Sequence, residues 1–96
     1  MTAAELLEET ARRVEAGPWG PGWAGPCVLR HLKDAALAGK VLDGELRTAL
    51  EALYREIQMN TTTASCNVAW WNDHFAILPE EVATACRNAV RWVKEA

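Results

Sequence analysis

Residues 43–59 read D-G-E-L-R-T-A-L-E-A-L-Y-R-E-I-Q-M. Leu46, Leu50, Leu53, Tyr54 and Ile57 recur at intervals of three and four, which lines them along one side of a helix and predicts an amphipathic helix over about 44–59. Asp43 stands where an N-cap is wanted. Glu51 and Arg55 lie four apart on the opposite side, in the favourable order for an exposed ion pair contributing about 0.3 kcal/mol. Asn60-Thr61-Thr62-Thr63 then break the pattern with residues that prefer caps and loops.

The same periodicity recurs on both sides of this segment. Thr2 and Glu5 form a capping-box pair at the start of a first helix. Leu7, Ala11 and Val14 follow as its core face, and Gly17-Pro18 stops it. A second helix starts at Pro26, carries Val28, Leu29, Leu32, Ala35 and Ala36, and stops at Gly39. A last helix runs from Pro79 to about Lys94 with Val82, Cys86, Ala89, Val90 and Val93 inward. Between 64 and 78 the chain is apolar without a sustained period. The spacing of Ala64, Val68 and Trp71 allows a short helix around 64–71, with a brief extended run as the alternative. The expectation is one all-α domain over residues 1–96, a bundle of about four helices. Its centre is assigned to Leu7, Val14, Leu32, Leu50, Leu53, Ile57, Val82, Cys86 and Val93.

Composition narrows the class. The chain has 96 residues, half of them hydrophobic and 24% charged, with a net charge of −3. An acidic balance disfavours nucleic acid and anionic membranes, which attract cationic surfaces. No apolar run reaches the about 18 residues of a membrane-spanning helix. Met1 to Glu9 is acidic and lacks the pattern of a secretory signal, and three cysteines cannot all pair within one chain. A reduced, cytoplasmic protein is the expectation.

Chemistry-bearing constellations are sparse. Cys27 and His31 share a helix face at i, i+4, and Cys66 and His74 would complete a Cys2His2 set of the kind zinc takes. The tight paired spacings of structural zinc sites are missing, so no metal and no cofactor is expected. A zinc-stabilised small domain stands as an alternative. Cys27 is read as a half-buried thiol and His31 as a surface histidine. Cys66, Asp73 and His74 are not read as a nucleophilic set: adjacent Asp73 and His74 diverge, and nothing in the sequence fixes the activated thiol, orienting partner and oxyanion site that such catalysis needs. Phosphate-loop, G-x-S-x-G and H-E-x-x-H motifs are absent, and the chain is not expected to be an enzyme. Arg87, Arg91 and Lys94 read as a solvated stripe.

Tryptophan is the unusual residue. Five of the seven aromatic side chains are indoles. Trp19 and Trp23 sit in G-P-W-G-P-G-W-A-G-P (17–26), a segment that glycine and proline keep from being helical. Its ten residues exceed the usual helix–helix connection of about 2–8. Proline stiffens such a loop, so it can display an indole at little entropic cost. Adjacent Trp70 and Trp71 cannot share a direction: Trp71 is expected in the core, while Trp70 covers a loop or faces a partner.

At Trp71-Asn72-Asp73 the chain resembles a small uncharacterised family of helical domains from actinobacteria and their bacteriophages. The likeness runs through Trp23–Ala38, Leu46–Ile57 and Ala69–Val93: a Trp/Gly segment before a helix, a central amphipathic helix, and W-N-D leading to a terminal helix. This chain differs in placing H-F-A-I-L (74–78) before Pro79-Glu80-Glu81-Val82, where the family has a shorter polar link. The resemblance implies origin and fold. Read from the residues themselves, Asn72 and Asp73 tie down a turn, with Asp73 capping a helix that begins at His74. The expected function is a non-enzymatic protein-interaction module, a phage or prophage accessory protein acting on a host protein. Its assigned binding residues are Trp19, Trp23, Trp70, Asn72, Asp73 and His74. The alternative is a small-ligand or nucleotide binder that stacks its ligand on tryptophan.

Overall fold

The computed structural model describes residues 1–60, 67–76 and 78–95, without the side chains of Asn60, Lys94 and Glu95. Among the described residues there are five helices and no strand: α1 (Ala3–Ala16), α2 (Val28–Ala38), α3 (Asp43–Asn60), α4 (Val68–His74) and α5 (Pro79–Glu95). The element beyond the expected four is α4. It begins later than the 64–71 reading and reaches His74, so Asp73 lies in its last turn and does not cap a helix starting there. Asn67 caps it instead, accepting from the Trp70 amide at 2.8 Å. Ala64 and Cys66 lie outside the described residues.

Local signals place the helix ends. Thr2 Oγ1 accepts from the Glu5 amide at 3.2 Å while Glu5 takes the Thr2 amide at 2.9 Å, the reciprocal box that the pattern implied. Gly17 closes α1 at φ 74°, a conformation that glycine adopts without the clash a Cβ brings. Two starts move by one or two residues. Cys27 is the N-cap of α2, which leaves Pro26 just outside the helix. The Leu42 carbonyl accepts the first bond of α3, so Asp43 is its first residue and not its cap.

The end of α2 departs from expectation in a useful way. Gly39 is its C-cap, but with φ −88° it does not take the left-handed role. Lys40 does, at φ 51°. The Lys40 amide donates to Leu37 O and the Val41 amide to Ala36 O, the paired bonds of a Schellman motif. A lysine there carries a Cβ penalty that glycine avoids. Lys40→Gly is therefore expected to raise stability by about 0.5–1 kcal/mol, net of the added freedom of the unfolded chain. Urea denaturation of the two proteins measures it, and a loss of stability would contradict the assigned backbone geometry.

Helix α1 packs against α2, α3 and α5, α3 packs against α5, and α4 rests on α2 and α3. The core joins Leu6, Leu7 and Val14 of α1 to Val28 and Leu32 of α2, Leu53 and Ile57 of α3, and Val82 and Cys86 of α5. Trp71 is buried among them, and Val93 packs at the edge. Leu50 is the main correction: it is 38% exposed. Helix α3 turns Ala49, Ala52, Leu53, Glu56 and Ile57 inward, because the small alanines allow close helix approach. Leu50 and Tyr54 are left at the edge, lining a cleft of about 390 Å³ with Leu29, Val68 and Ala69.

Buried Glu56 is possible because it is paired. Its carboxylate accepts from Arg91 Nη2 and Trp92 Nε1, both at 2.9 Å. Arg55, expected to pair with Glu51, lies over the Trp92 ring 4.2 Å from its centroid. Arg87 reaches Glu15 at 2.6 Å and Glu8 at 3.3 Å. Two members of the stripe read as solvated thus tie α5 to α1 and α3, with each exposed pair contributing little. The Arg87 hydrogen bond holds the Glu15 carboxyl below its usual range.

Candidate functional site

The breaker segment 17–26 is held in place by two consecutive side chains of α4. Asn72 is fully buried and makes the four hydrogen bonds open to an amide. Its Oδ1 accepts from Trp19 Nε1 at 2.7 Å and from the Val28 amide at 3.1 Å. Its Nδ2 donates to Gly20 O at 3.2 Å and to Asp73 Oδ1 at 3.1 Å. Asp73 Oδ1 also accepts from the Gly22 amide at 2.7 Å. Within the loop, the Gly20 amide donates to Pro26 O, and the Ala24 and Gly25 amides both donate to Pro21 O.

His31 completes the frame from below. The sequence reading put it on the surface, but it is buried, with Nε2 2.7 Å from Pro18 O. A histidine flanking an apolar stripe is drawn inside when a loop carbonyl supplies its ring nitrogen with a partner. So W-N-D works as a clamp: Trp71 anchors α4 in the core while Asn72 and Asp73 hold a loop some fifty residues earlier in the chain.

The clamp divides the assigned binding residues into two groups. Trp19, Asn72 and Asp73 are engaged in holding the loop, Trp19 half-buried with its N–H spent on Asn72. Trp23 and Trp70 are outside, 71% and 43% exposed. His74 lies between them, its ring centroid 5.8 Å from that of Trp23 and 4.6 Å from that of Trp70. Phe75 extends the row, 5.0 Å from Trp70 and 40% exposed. The i, i+4 spacing of Trp70 and His74 was a legible signal for this cluster. Phe75 was missed, because it adjoins the helix end and no periodicity assigns it a side. These rings are tilted against one another, an arrangement aromatic groups prefer, and both indoles stay exposed to solvent.

The other candidates are scattered. Cys27 caps α2, His31 holds Pro18, His74 stacks with the indoles, and Cys66 lies outside the described residues. Among the described residues no group of three or more His, Cys, Asp or Glu side chains could hold a metal ion. Burial pushes the Cys86 thiol up to about 12, so it stays protonated and is a poor nucleophile. No described helix is long and apolar enough to cross a membrane. Comparison with protein-family models, with curated proteins and with solved structures finds no match to this chain.

Proposed function

We propose that this chain is a non-enzymatic protein-interaction module whose contact surface is the row Trp23, His74, Trp70 and Phe75. The observation that carries the reading is the high exposure of Trp23 on a loop whose backbone is clamped by Asn72 and Asp73. Large indole surface is costly to leave in water, and rigid aromatic groups are favoured anchors because little freedom is lost on binding. The resemblance at Trp71-Asn72-Asp73 supports a phage or prophage accessory protein, acting in the cytoplasm on a host protein, as the setting. Trp19, assigned with the others from sequence, is reassigned to holding the loop.

The nucleotide alternative is the weaker one. Stacking on an indole suits a base, but phosphates need cations. The segments that build the patch, 16–29 and 67–81, contain no lysine or arginine. A test starts with affinity capture from an actinobacterial lysate and titration of the captured protein against variants. Trp23→Ala and Trp70→Ala are each expected to weaken binding by about 2 kcal/mol or more, roughly thirtyfold, with little change in melting temperature. Trp19→Ala should instead lower the melting temperature. Unchanged affinity in both exposed-Trp variants would remove the patch from the interface.

A further inference from the structure

We infer that the aromatic row takes a guanidinium, the side chain of an arginine on the partner protein; this rests on reading the row as the binding surface. Three features point to a planar cation that can donate hydrogen bonds. First, Trp23 and Trp70 are exposed, and the face of an indole is an electron-rich surface of the kind cations stack on. Second, Asp73, which bonds the amide of Gly22 beside Trp23 and precedes His74, has a carboxylate oxygen to spare. Its Oδ1 is occupied by Gly22 and Asn72, while Oδ2 makes no hydrogen bond among the described residues. Third, the two segments that build the patch carry side-chain charge of one sign. Segments 16–29 and 67–81 supply Asp73, Glu80 and Glu81 and no lysine or arginine, and no lysine or arginine occurs between Arg55 and Arg87.

The chain already builds such a site where it has cations of its own. At the junction of α3 and α5, Arg55 and Arg91 lie 4.2 and 4.7 Å from the Trp92 ring centroid. Arg91 at the same time donates to the Glu56 carboxylate at 2.9 Å. Indole face, carboxylate and guanidinium are all present there. Both guanidinium groups that lie over an indole among the described residues lie over Trp92. At Trp23 and Trp70 the indoles and the carboxylate are present, and the guanidinium has to come from outside. Arginine fits better than a quaternary ammonium, because only a group with N–H donors can use Asp73 Oδ2 while stacking. An acidic or phosphorylated partner segment would meet the carboxylates of these two segments and no lysine or arginine of theirs.

The test compares the tripeptides Gly-Arg-Gly and Gly-citrulline-Gly, with tetramethylammonium as a third probe, followed through the indole N–H resonances of the full chain. Citrulline keeps the shape of arginine and removes the charge. The arginine peptide is expected to shift the Trp23 and Trp70 signals saturably and to bind at least about fivefold tighter than the citrulline peptide. Asp73→Asn, which keeps an acceptor for Gly22, should lose about that factor. Trp23→Ala, on an exposed side chain, should lose it as well and decides the matter if Asp73→Asn does not fold. Equal binding of the two peptides would overturn the cation inference and leave the row standing as a contact surface. Tetramethylammonium binding as tightly as the arginine peptide would overturn the choice of guanidinium. No shift from any probe would overturn the inference outright, while partner capture with the Trp variants would still judge the interface by itself.

Discussion

Asn72→Ala is expected to cost about 3–5 kcal/mol, since it strands several polar groups that the fold has taken out of water. Trp19 Nε1, the Val28 amide and Gly20 O all lose their partner at once. Each buried group left unsatisfied costs about 1–3 kcal/mol, and one or two of the three recover part of that by admitting water. Domains of this size are stabilised by only about 5–10 kcal/mol in total, so the variant should sit near its unfolding transition. Urea denaturation followed by tryptophan fluorescence measures the loss. Asp73→Asn provides the contrast, because it retains an oxygen for Gly22 and sits at the less buried end of the network. A loss below about 1 kcal/mol for Asn72→Ala would mean that the loop is held by its own prolines, and W-N-D would cease to be a clamp.

The second large effect separates two leucines that the sequence pattern treats alike. Leu53 is fully buried between α3 and its neighbours, and Leu53→Ala is expected to cost about 2–5 kcal/mol through lost contacts and a residual cavity. Leu50 lies at the lip of the cleft with Leu29 and Tyr54, and Leu50→Ala should cost less, about 1–2 kcal/mol, because it is 38% exposed and its removal leaves no enclosed cavity. Thermal or chemical denaturation of the pair is sufficient. Equal costs would show α3 facing the core along Leu46, Leu50 and Tyr54, the orientation its spacing suggests, and would withdraw the cleft.

The proposed interface draws on both results. If Asn72 is the keystone, variants of the exposed row can be read as binding variants, because they leave the clamp intact. Trp23→Ala removes a side chain that the fold hardly uses, whereas Asn72→Ala would abolish binding by releasing the loop that carries Trp23. Stability has therefore to be measured beside affinity for every variant of the row.

Helix existence and helix ends were legible residue by residue, since both depend on groups a few positions apart. Thr2 and Glu5 close their box within one turn, Gly17 and Pro18 stop a helix wherever they occur, and the leucines of α3 needed only the helical repeat to declare a helix. The core roles of Leu7, Val14, Leu32, Leu53 and Cys86 were legible for the same reason. The side that α3 presents was not. Leu50 and Ala49 are neighbours, and only the positions of α4 and α5 decide that alanine goes inward and leucine to the rim. Nor could any local pattern pair Asn72 with Trp19, Asp73 with Gly22, or His31 with Pro18, because those partners meet only when α4 docks beside the loop. Periodicity and capping act within a turn of helix, whereas the satisfaction of a buried polar group is decided by whatever the rest of the chain brings to it.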